Sequence, residues 1–321
     1  VKEGDWTLSR VEESKVPAPT KAKAALQDAL DAWDAEAADV AVAGLCRSAG
    51  AAEVMEVFWR AGLRDQRNIG HKPIFTAQCW RTLQTIGWQH AEPVLRSLTY
   101  GILDLQGDTN KAPVGVYEGN IARAQSLRPD WTQGKRDPAG TKQLLEALRT
   151  AKPDDAAAVA VKLINGGVSP DSLWDAILMS GGELMMRQPG ILALHTVTST
   201  NALHYTYLAS GDDLTRRLAV LQAASWIPMF IERIKPTSTV RIDAIEPIAP
   251  SGGGGAEAIA DIFETLSDDR GKAAAKAAGY LAAGGSSQAL FRAARRSIFH
   301  KGRDSHDYKY GAAAWEEHQL A

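Results

Sequence analysis

The chain has 321 residues, with 36 lysines and arginines against 38 aspartates and glutamates, a net charge of −2. This near-neutral balance excludes the broad basic field of a general nucleic-acid binder and leaves only a local patch at Arg292, Arg295, Arg296 and Lys301. Cys46 and Cys79 are too few for a disulfide scaffold, and no apolar run reaches membrane-spanning length. A charged start, Val1 to Arg10, carries no signal peptide, so a cytoplasmic protein is expected; the missing initiator Met also fits a removed leader or a trimmed chain.

Residues 1–20 read as an extended N-terminal arm through Val16-Pro17-Ala18-Pro19, and residues 21–321 as a single all-α domain. Ala, Leu, Glu, Lys and Arg dominate, with Gly and Pro between segments. Helices are expected over Lys21–Trp33, Glu36–Ser48, Glu53–Leu63, Pro73–Trp88 and Glu92–Leu105, followed by an irregular stretch from 106 through Trp131. They resume over Pro138–Arg149, Asp155–Asn165, Pro170–Met185, Ile191–Leu208 and Asp212–Ile234. Asp137-Pro138 and Ser169-Pro170 are start signals, because Pro in the first turn lacks only an N–H the helix would not use. In the fourth helix Phe75, Cys79, Leu83 and Ile86 recur at helical spacing and predict one buried face. Residues 235–255 form a glycine-rich loop whose Val240–Ile245 alternates like one short strand and which ends in Ser251-Gly252-Gly253-Gly254-Gly255. With no Lys-Ser/Thr after it, that run reads as a surface loop rather than a phosphate cradle. Helices Ala256–Leu266, Arg270–Leu281, Gln288–Lys301 and Ser305–His318 complete a C-terminal segment, residues 256–321.

Two stretches match in pattern, about 41–105 and about 157–234. Each has a helix ending near Gly (Gly50, Gly167), a second helix, a Pro-headed turn, a long apolar helix, and a final helix with Leu95-Arg96 or Arg216-Arg217. Aligning Pro73 with Pro189 sets Cys79 opposite His195 and Trp88 opposite His204. The expected architecture is two related helical repeats packed around a common interface, where helical proteins keep cofactors and metals.

Seven histidines occur: His71, His90, His195, His204, His300, His306 and His318. A lone histidine in an apolar helix is more often a hydrogen-bonded core residue than a ligand. His195, on a face with Ile191, Leu194 and Thr198, needs a partner for each ring nitrogen or a metal on one of them. His204 lies about half a turn round the same helix, so the two are poor co-ligands; His204 can pair with Asn201 or Tyr205, or line a substrate pocket. His71 and His90 stand roughly 28 Å apart on a continuous helix, which also excludes a shared ion unless the helix breaks at Gly87. His90 reads equally as a helix-terminus partner. Asp304 is a natural N-cap, after which His306, Lys309 and Tyr310 share one face. This is either an ordinary charged helix start or an inward-pointing His–Lys pair. Both cysteines fit as small buried hydrophobes. No nucleophile elbow, zinc-protease, P-loop, dinucleotide or Glu-x-x-His di-iron signature is present.

Leu194-His195-Thr196-Val197-Thr198-Ser199-Thr200-Asn201-Ala202-Leu203-His204 resembles the signature helix of the questin oxidase-like proteins, all-helical oxidoreductases of anthraquinone and polyketide breakdown. Gly70-His71-Lys72-Pro73-Ile74 resembles their His-Pro-type helix start, and Asp304-Ser305-His306-Asp307-Tyr308-Lys309 their C-terminal element; the likeness spans most of residues 40 to 318. It implies a mononuclear non-haem iron, with His71, His195, His306 and a carboxylated Lys309 as ligands. Fe(II) suits such imidazole and oxygen donors, and other divalent metals share the preference. The family's early His-rich helix should fall near residues 37 to 41, where this chain has Ala37-Ala38-Asp39-Val40-Ala41, so that ligand is either missing or replaced by His90 or His204. The resulting expectation is an iron-dependent oxygenase using O2 on an aromatic or quinone-like small molecule, with His204 and Tyr310 as catalytic candidates. The rival is a non-enzymatic helical scaffold, or a ligand or haem carrier with core histidines.

Overall fold

The computed structural model describes residues 7–251 and 255–320. Fifteen α-helices and no β-strand form among them, apart from one isolated bridge, Lys135–Val168. The first group is α1 (Pro19–Asp31), α2 (Ala35–Ser48), α3 (Ala51–Leu63), α4 (His71–Ile86) and α5 (Ala91–Leu103). The second is α6 (Tyr117–Gln125), α7 (Pro138–Thr150), α8 (Pro153–Asn165), α9 (Pro170–Arg187), α10 (Ile191–Ala209) and α11 (Asp213–Ile234). The C-terminal group is α12 (Ala256–Asp268), α13 (Arg270–Ala282), α14 (Ser287–Lys301) and α15 (Ser305–Leu320).

Local chemistry sets most of these boundaries. Asp137 and Ser169 cap α7 and α9, each accepting a backbone N–H from the first turn, with Pro138 and Pro170 opening the helices behind them. Asp212 caps α11 in the same way. Gly87, at φ 99°, ends α4 in a conformation that a side chain would strain.

The first group packs around Leu26, Val42, Phe58, Leu95 and Ile102, and the second around Trp131, Leu145, Trp174, Leu221 and Phe230. Helix α10 joins them: Ala202 belongs to the first core, Leu203 and Tyr207 to the second. It is buried on nearly every side, including an unbroken run from His195 to His204. A helix enclosed all round places its polar residues wherever a neighbour can use them, not on one wet face. Helices α12 to α14 share only a small core around Ala258, Ile262 and Tyr280.

Several expectations are corrected. Residues 240–245 form no strand; Ile242–Ala244 is a 3-10 turn, because the Ile242 N–H is given to the Glu183 carboxylate and Asp243 pairs with Arg149. The irregular stretch after α5 contains a nine-residue helix, α6. The N-terminal arm holds a short 3-10 turn, Glu13–Lys15, and α1 begins at Pro19. Leu83 is buried as expected, but Phe75 and Ile86 are exposed, because α4 turns its Ile74, Ala77 and Leu83 side to the core. The glycine run from Gly252 to Gly254 lies outside the described residues, as do residues 1–6 of the arm and residue 321. The order of α2–α5 and α8–α11 is the one a duplication requires; the duplication itself remains our proposal.

Candidate metal centre

His71 is the first residue of α4, and the backbone ahead of it is unusual. Asn68, Ile69 and Gly70 have φ of 58°, 50° and 79°. Such a run is costly for Asn and more so for a β-branched Ile, and it persists only when its surroundings impose it. Here Gln222 donates to the Leu63 carbonyl at 2.9 Å, holding the approach to this loop against α11. Buried Asp65 takes the Lys72 ammonium and the backbone N–H groups of Arg67 and Val114. Gly70 itself has no room for a side chain, since a Cβ there would come within 2.7 Å of the Ser199 Cβ. The loop thus packs against α10, and the His71 ring points at it.

There it meets His195. The two Nε2 atoms stand 2.9 Å apart. His71 Nδ1 lies 2.7 Å from the Asn68 carbonyl, and His195 Nδ1 lies 2.7 Å from the Ile191 carbonyl. A carbonyl only accepts, so each Nδ1 must carry the hydrogen. In the neutral rings both facing Nε2 atoms are therefore lone pairs. Sharing a proton would require one ring to be cationic, and burial opposes that: it pushes His71 down and His195 down to about 4. Two lone pairs at this distance repel unless a cation lies between them. Ligands about 2.1 Å from one ion and at right angles to each other are roughly 3.0 Å apart, close to this separation.

His306 completes the group. It sits on the first turn of α15 with its ring centroid 5.1 Å from that of His195. The ligand nitrogens of His71, His195 and His306 all lie within 4.8 Å of one another. Its Nδ1 pairs with Asp304 at 3.0 Å, leaving Nε2 for an ion; a carboxylate behind a ligating imidazole fixes its tautomer. Beyond it, the Lys309 Nζ is buried with no hydrogen-bond partner. Burial, with Arg81 adding to it, pushes this ammonium down to about 8, and its charge acts on both His71 and His195. The Thr198 hydroxyl, one turn beyond His195, is also buried and unpartnered. Three imidazoles with their hydrogens turned away, next to an orphaned amine, suit a first-row divalent cation.

The remaining predicted residues stand elsewhere. His90 is exposed in the turn after α4, and it is not part of the group, because α4 runs unbroken from His71 to Ile86. His204 is about 14 Å further along α10 from His195 by helical rise. Its Nδ1 pairs with Glu317 at 2.6 Å and its ring lies tilted against Trp174, with centroids 4.6 Å apart, beside a small cavity that Asp175 and Leu178 also line. Tyr310 is one turn beyond His306 on α15, and burial raises its hydroxyl pKa. Phe75 was expected in the core; instead it stacks on His71 at 5.2 Å and is 36% exposed, forming an aromatic shelf beside the site. The sequence does not single out the partnership of His204 with Glu317 or of Asp304 with His306; the one signal is that Glu317 lies eleven residues after His306 and so on the same face of α15.

No family model, curated protein or solved structure matches the chain.

Proposed function

We propose that this protein is a metal-dependent oxidoreductase, an Fe(II) oxygenase acting with O2 on an aromatic or quinone-like molecule. The observation that carries the metal reading is the pair of Nε2 lone pairs of His71 and His195 at 2.9 Å, both fixed in that tautomer by backbone carbonyls. The choice of iron and of an aromatic substrate rests on the resemblance to the questin oxidase-like proteins. Iron there would supply oxygen activation, with His71, His195 and His306 holding it by three imidazoles.

Lys309 supports the same reading. An ammonium cannot bind a cation, but a neutral amine adds to CO2 and loses a proton to give a carbamate with oxygen donors. Desolvation favours that neutral amine, and Nζ has no competing partner. Phe75, stacked on His71 and open to solvent, offers a face for a flat substrate.

The test is metal content after anaerobic loading and desalting, for the wild type and for His195→Ala. About one Fe(II) per chain in the wild type, lost in the variant, is expected. A wild type that retains no Fe(II), Mn(II) or Zn(II) would mean the histidines are core residues of a scaffold.

A further inference from the structure

The three helices that supply the histidines meet a second time. Arg81 of α4 donates to Glu316 of α15 at 2.5 Å. Asn201 of α10 donates to Glu316 at 2.6 Å and to Glu317 at 2.8 Å, and His204 of α10 donates to Glu317 at 2.6 Å. His71, His195 and His306 precede these groups along α4, α10 and α15, so the three helices run the same way, and the second junction lies roughly 15 Å further on.

Helix α15 has little else to hold it on α10. Ala313 and Glu317 are its buried residues, with His306, Lys309, Tyr310 and Trp315 half-buried. Of its aromatic contacts His306 meets His195 on α10, while Trp315 and His318 on Phe291, together with the His318–Ser287 hydrogen bond, face α14. A helix that buries so little apolar surface depends on its polar contacts for its position.

We propose that Asn201, Glu316 and Glu317 are positioning residues that dock α15 along α10, so that metal occupancy and docking of the C-terminal helix are linked. This rests on the metal reading above. His71 and His195 are set by α4 and α10 whether or not α15 is seated; His306 and Lys309 arrive only with α15. A divalent ion bound by all three histidines therefore favours the docked helix, and undocking lowers affinity in proportion to the fraction undocked. The clamp makes the site complete only when the last turns of the chain are in place.

The experiment is Co(II) titration followed by visible absorption, with hydrogen exchange of residues 305–320 measured with and without Co(II). In the wild type, Co(II) is expected to slow exchange across α15. Glu316→Ala/Glu317→Ala, or Glu316→Gln/Glu317→Gln if the alanine pair misfolds, leaves α15 docked about a tenth of the time and weakens Co(II) binding about ten-fold. His318→Ala, which loosens α15 only towards α14, serves as the control and changes affinity less than about two-fold, within the effect expected of a surface substitution. A wild type that binds Co(II) while the clamp variants bind equally well overturns the linkage and leaves the metal reading intact. So does a His318→Ala protein that loses as much affinity as the clamp variants. A wild type that binds no Co(II) overturns both, and unchanged α15 exchange in the metal-free clamp variants separately removes Asn201, Glu316 and Glu317 from any docking role.

Discussion

Acid should destabilise the metal-free protein through His195. Burial holds this imidazole at about 4, against an ordinary value of 6.5. At pH 8 it is neutral in both the folded and the unfolded chain and contributes no pH dependence. At pH 5 the unfolded imidazole is almost wholly protonated while the folded one is still neutral. The unfolded chain then binds more protons, and stability falls as pH drops below the unfolded value until the folded group titrates. Between pH 8 and pH 5 the loss from this one group is about 2 kcal/mol. His71 is shifted the same way by burial and adds to it. His195→Gln keeps an amide in the cavity and removes the titration. Urea unfolding of chelator-treated protein at the two pH values gives the comparison. The wild type should lose about 2 kcal/mol more than the variant, while acid effects from carboxylates such as Asp243 occur in both and cancel. Equal losses in the two proteins, or a wild type that gains stability in acid, would refute the assignment of His195 as a buried neutral ring.

Gly70→Ala should misplace His71, because φ is 79° and the new Cβ would lie 2.7 Å from the Ser199 Cβ; we expect a stability loss of about 1–3 kcal/mol in urea unfolding and weaker metal binding. Burial pushes the thiols of Cys46 up to about 12 and of Cys79 up to about 11, so both should resist thiol reagents at pH 8 until denaturant is added. Rapid labelling of either in the native protein would contradict their placement.

Most of the helices are legible in the sequence because their starts are written in short-range chemistry: Asp137-Pro138, Ser169-Pro170 and Asp212 each carry a cap visible without any tertiary contact. What is not legible depends on neighbours. Residues 240–245 alternate like a strand but have no strand beside them; their partners include the Glu183 carboxylate and the guanidinium groups of Arg149 and Arg187. Phe75 has the spacing of a core residue, yet it lies at the edge of the packed face and stacks on an imidazole. His195 can be singled out by the cost of burying imidazole on an apolar face, whereas His71 enters through a resemblance, and His306 and Lys309 through that resemblance and an ambiguous helix face. Glu316 and Glu317 look like the solvated end of a helix; only the fold brings Arg81, Asn201 and His204 to them.

The central claim is that His71, His195 and His306 bind one ion. X-ray absorption of the metal-loaded protein at the edge of that metal measures this directly. We predict a first shell of nitrogen or oxygen at about 2.0–2.2 Å with the outer-shell scattering of three imidazoles, and no such ion retained by His195→Ala loaded in the same way. A shell without imidazole scattering, or one unchanged by loss of His195, would contradict it.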